Sequence, residues 1–141
     1  MTIVPSPYDE VMRRQVGRPA STDLLGNRTR YWVYGADEPE TILVLVHGFR
    51  GDHHGLEAVA ALLCDADRDL QVIAPDLPGF GESTPLAGPH DIDAYARWLT
   101  AFREALGAAA VVDEDDRRGV LADQAQQLGI DRRPDRARVR R

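Results

Sequence analysis

The chain has 141 residues, 43% of them apolar, and a formal net charge of −6. That length suits one domain with a core of its own. The acidic balance gives no support to a nucleic-acid partner, because phosphate binding needs a basic face.

All 17 basic residues are arginine, which a GC-rich coding sequence explains more simply than any function. The single cysteine, Cys64, excludes an internal disulfide. No basic segment followed by an apolar stretch opens the sequence, and no run nears the ~18 apolar residues needed to span a bilayer. The expectation is a cytoplasmic protein with no membrane partner and no cofactor.

Residues 1–20 read as a leader, and residues 1–19 carry no strand pattern. Ser6-Pro7-Tyr8-Asp9 reads as a helix start, with Ser at the cap, Pro at the first helical position and acidic residues in the first turn. Either a short helix to about Gln15 or a disordered segment fits. Residues 24–34 predict a hairpin around Gly26-Asn27, with the strand-favouring Tyr31, Trp32, Val33 and Tyr34 on its second arm. Residues 42–46 form a continuous β-branched and leucine run, as a strand covered on both faces requires.

Asp52 is placed to cap the helix that follows, with Leu56, Val59, Ala60 and Leu63 on one apolar face. Cys64 falls in that stripe and reads as a small buried residue rather than a reactive thiol. Residues 72–74 repeat the buried-strand pattern, which makes a βαβ unit. Asp91 caps a helix to about Leu106, with Ile92, Tyr95, Leu99, Phe102 and Leu106 in line and Gly107 just past its end. Residues 108–112 start like a third buried strand. A weak helix over residues 120–128 and a disordered stretch over residues 132–141 follow.

His47-Gly48-Phe49 after one buried run, then Asp76-Leu77-Pro78-Gly79-Phe80-Gly81-Glu82-Ser83 after the next, resembles the N-terminal part of an α/β-hydrolase fold enzyme. The resemblance covers residues 24–112. It implies an α/β fold, an incomplete three-layer doubly wound sheet over residues 21–112, with residues 113–141 as a charged tail outside the family pattern.

In acyl transfer, negative charge develops on the carbonyl oxygen, and losing one preorganised N–H donor costs ~2.7–4 kcal/mol of transition-state stabilisation. By resemblance Phe49 supplies one such N–H, Gly48 lets the backbone approach, and His47 braces the loop. The turn with Asp76, Gly79 and Gly81 lines the site. In the family the third strand ends in Gly-x-Ser-x-Gly, which presents the nucleophile. Here Asp113-Glu114-Asp115-Asp116 comes instead, with no serine after Ser83 and no histidine after His90. Gly81-Glu82-Ser83-Thr84 resembles the start of such an elbow, but Pro85 takes the place of its last glycine, so Ser83 is read as a turn residue.

His53 and His54 with Asp52 raise the question of a metal. Adjacent histidines on a loop rarely converge on one ion, and no second cluster has zinc-like spacing. A solvated loop, an exposed His90 and no metal are expected. The reading is a truncated α/β-hydrolase-like chain whose family hydrolyses ester, amide or related bonds of small-molecule substrates. The alternative is a non-catalytic interaction module whose partner completes the sheet. An open edge at residues 108–112 predicts self-association.

Overall fold

The structure, a computed structural model, describes residues 4–107 and 110–113. The expectations for residues 114–141 lie outside it. Helix α1 (Asp9–Arg14) is followed by strands β1 (Arg18–Leu24), β2 (Asn27–Gly35) and β3 (Thr41–Val46). A 3-10 turn (His53–Leu56) leads into α2 (Glu57–Ala66), then β4 (Leu70–Pro75), α3 (Ile92–Leu106) and β5 (Ala110–Asp113). The strands form one sheet in the order β1-β2-β4-β3-β5. β1 and β2 are antiparallel, β2 is antiparallel to β4, and β3 runs parallel to both β4 and β5.

The apolar run in β3 is continuous because both faces of the sheet are covered. Leu43 and Leu45 pack with Leu56, Ala60 and Cys64 from α2 and its lead-in turn, beside Trp32, Tyr34, Val72 and Ala74. Ile42, Val44 and Val46 point the other way, with Ile73, onto Trp98 and Phe102 of α3. Successive residues of one strand therefore serve two cores. Burying a side chain of this size contributes about 1.5–3 kcal/mol, so both helices are tied to the sheet. Trp98, which the predicted α3 stripe omits, is fully buried. It stacks on Phe102 and donates its Nε1–H to Thr29 Oγ1 at 2.8 Å.

Local signals set the helix ends. Asp52 accepts from the His54 N–H at 2.9 Å and Asp91 from the Ala94 N–H at 2.8 Å. Gly107 closes α3 in the left-handed conformation at φ 64°. At α1, Ser6 Oγ accepts from the Tyr8 N–H at 3.2 Å while Asp9 Oδ2 accepts from the Ser6 N–H at 3.0 Å. That is a reciprocal capping pair.

Three expectations are corrected. β1 begins at Arg18, inside a stretch with no strand pattern. As an edge strand it buries little, so pairing with β2 defines it rather than apolar alternation. The hairpin turn is Leu25-Gly26, both at positive φ, one residue earlier than expected. Asn27 is needed elsewhere: its buried side chain donates to the Thr84 carbonyl and accepts from the Thr29 hydroxyl. On α2 the buried face turns toward Ala61 and Cys64, leaving Val59 47% exposed.

Candidate functional site

The loops leaving β3 and β4 lie side by side at the carboxyl ends of these parallel strands, where open α/β sheets hold ligands. His47 joins them. Its Nε2 accepts from the Leu77 N–H at 3.0 Å. Nδ1 therefore carries the proton and donates to the Gly48 carbonyl at 2.8 Å. That carbonyl also accepts from the Gly51 N–H at 3.0 Å, which closes a tight turn with Arg50 at φ 64°. A Cβ on Gly51 would sit 3.1 Å from the Gly48 oxygen, so a side chain there would make that carbonyl give by a few tenths of an ångström.

The turn presents Phe49 at its tip. Its side chain is 83% exposed and meets Phe80 edge-on, ring centroids 6.0 Å apart. Its N–H has no hydrogen-bond partner among the described residues. Beside it opens a mainly apolar cavity of about 540 Å³, walled by Phe49, Leu77, Pro78, Phe80, His90 and Tyr95. Gly79 also lines it. Exposed His90 accepts at Nε2 from the Leu86 N–H at 3.0 Å, and the Tyr95 hydroxyl donates to the Pro78 carbonyl at 2.9 Å. The sequence leads one to expect His90 exposed and Tyr95 in the α3 stripe, but nothing in it brings either to the mouth of a cavity.

The Asp76 carboxylate turns away from this cavity and is fully buried. Its Oδ1 accepts from the His53 backbone N–H at 2.7 Å and from His53 Nδ1 at 2.9 Å. Its Oδ2 accepts from the Glu82 N–H at 2.9 Å. A Cβ on Gly81 would overlap this carboxylate, so Gly81 serves the packing of Asp76. The solvated loop expected around the two histidines holds only for His54. His53 is buried against Trp32 because Asp76, 23 residues on, accepts from both its N–H groups.

Ser83 is buried, and its hydroxyl is engaged on both sides. It donates to the Asp76 carbonyl at 2.7 Å and accepts from the Arg30 N–H at 2.9 Å. Burial pushes the Cys64 thiol up from its ordinary value, which leaves it protonated and unreactive at neutral pH. Burial likewise raises Tyr34 to about 12, with Glu57 and Cys64 adding to it.

A family model for the alpha/beta hydrolase fold matches residues 41–112, and the chain belongs to that family. Solved structures agree. A variant of a putative epoxide hydrolase from Pseudomonas aeruginosa is 27% identical, with a TM-score of 0.60 over 71% of this chain and 33% of that one. A bacterial membrane phospholipase A is 26% identical, with a TM-score of 0.60 over 69% and 30%. A predicted hydrolase from Thermoplasma acidophilum, 23% identical, has a TM-score of 0.57 over 70% and 50%, and bears on the fold alone. The chain thus spans 30% to 50% of the length of these structures. A search of curated proteins gives no match. No helix among the described residues is long and apolar enough to cross a membrane.

Proposed function

We propose that this chain carries the oxyanion-side part of a hydrolase site for small apolar substrates and does not complete the reaction by itself. The observation that carries this reading is the Phe49 N–H, which has no hydrogen-bond partner among the described residues and is held by the His47-braced turn at the mouth of an apolar cavity. A donor aimed at developing charge has to be fixed before the reaction, and His47 supplies that rigidity. Similarity to a phospholipase and to a putative epoxide hydrolase supports ester, amide or related bonds in small molecules as the substrate class.

The chemistry also needs a nucleophile, a base to take its proton, and a carboxylate to orient that base. Ser83 cannot attack while its hydroxyl bridges Asp76 and Arg30, and no serine follows it in the sequence. The test is to incubate the purified chain with an activated aryl ester and a fluorophosphonate probe, beside Ser83→Ala. The expected result is turnover no faster than buffer and no labelling. Labelling that disappears in the alanine variant overturns the reading.

A second reading, an interaction module, has its own support in the sheet: β5 pairs only with β3 among the described residues. An open strand edge templates association. Size-exclusion chromatography with light scattering is expected to find self-associated species. A monodisperse monomer that melts cooperatively counts against it.

A further inference from the structure

A second cavity, of about 320 Å³, opens away from Phe49 between the end of α1, strand β2 and the 3-10 turn. Trp32, His53, His54, Glu57 and Glu82 are among its walls. One ligand atom from each of His53, His54 and Glu57 lies within 4.8 Å of the others, and the same holds for His53, Asp76 and Glu82. His53 is common to both groups and is only 4% exposed. Its ring stacks on Trp32 and its Nδ1–H is held by the buried Asp76 carboxylate at 2.9 Å. That fixes the tautomer with the lone pair on Nε2, an atom with no hydrogen-bond partner among the described residues.

A buried acceptor without a donor is unfavourable. An imidazole with a carboxylate behind its other nitrogen is also the usual preparation of a metal ligand, since the carboxylate orients the ring and raises its basicity. We propose that this cavity binds one first-row divalent transition-metal ion of the zinc type through His53 Nε2, His54 and Glu57. Asp76 is the positioning residue behind His53. Imidazole nitrogens beside a carboxylate favour zinc and its neighbours over calcium or magnesium, which take oxygen donors.

His54 and Glu57 are free to close the remaining distance to the ~2.0–2.2 Å of zinc–ligand bonds, because His54 is exposed and Glu57 is partly so. Their contact, His54 Nδ1 to Glu57 Oε1 at 2.7 Å, is replaced by two bonds to the ion. Glu82 faces the same cavity but is shared with Arg30 at 3.9 Å, which makes it the weaker, outer carboxylate. The ion would pin the 3-10 turn to the first turn of α2, with Asp76 of the loop after β4 behind His53, a structural role separate from the cavity at Phe49. The sequence pointed away from a metal because it displays only the adjacent histidines. Glu57 one helical turn on, and Asp76 behind the ring, converge with them only in the fold.

The experiment is equilibrium dialysis of the full chelator-treated chain against Zn²⁺, with Co²⁺ absorption as a second readout and circular dichroism to check folding. His54→Ala and Glu57→Gln alter side chains outside the core, and both variants are expected to fold. One equivalent of Zn²⁺ should bind, the Co²⁺ complex should show the strong visible bands of four-coordination, and each variant should weaken binding at least about tenfold. No stoichiometric uptake, or equal affinity in both variants, overturns the proposal.

Discussion

Replacing Asp76 by alanine removes the acceptor of three donors at once. Asp76 is fully buried and takes the His53 N–H, His53 Nδ1–H and Glu82 N–H at 2.7, 2.9 and 2.9 Å. Hydrogen bonds to a charged partner contribute roughly 1.5–3 kcal/mol each, and each buried donor left unpaired costs about 1–3 kcal/mol. The three share one side chain and are not additive, so the loss should be roughly 3–6 kcal/mol. Against a total of ~5–15 kcal/mol for a domain, that brings the protein close to unfolding. Asp76→Asn keeps one oxygen but faces an NH₂ toward the remaining donors, so about half the loss is expected. Urea unfolding followed by tryptophan fluorescence suits the question. Trp32 stacks on His53 on one face of the sheet, and Trp98 reports the other. A loss below about 1 kcal/mol for Asp76→Ala with an unchanged denaturant slope would refute the claim that this carboxylate holds the two loops together.

Gly81→Ala should destabilise by more than about 2 kcal/mol, because its Cβ meets the Asp76 carboxylate and its φ is 51°. Gly88→Ala, with open space around it, should stay within about 0.5 kcal/mol in the same chemical denaturation. For Tyr34, burial raises the folded pKa from 10.0 to about 12, so the fold favours the protonated phenol. Stability is fully present below pH 10.0 and is lost as pH rises toward about 12, by on the order of 2–3 kcal/mol. Tyr34→Phe should remove that alkaline slope in melting curves taken across the window, and a slope that persists unchanged would assign it to another group.

Sequence alone determined what depends on near neighbours. Asp52, Asp91 and Gly107 act within four residues of themselves, so capping chemistry reveals them. The unbroken apolar runs of β3 and β4 announce a sheet covered on both faces before any contact is seen. Loop motifs after those strands located the turn that presents Phe49. Tertiary structure decided the rest. β1 is invisible locally because an edge strand is defined by the backbone it pairs with, not by what it buries. The face of α2 depends on what it packs against, which is why Val59 is exposed and Ala61 is not. Trp98 meets Thr29 across 69 positions, and His53 meets Asp76 across 23. No period or spacing encodes either pair. The role of a buried polar side chain is set by the partner the fold brings to it, and partners far apart in the chain become neighbours only once the sheet and its two helical layers have closed.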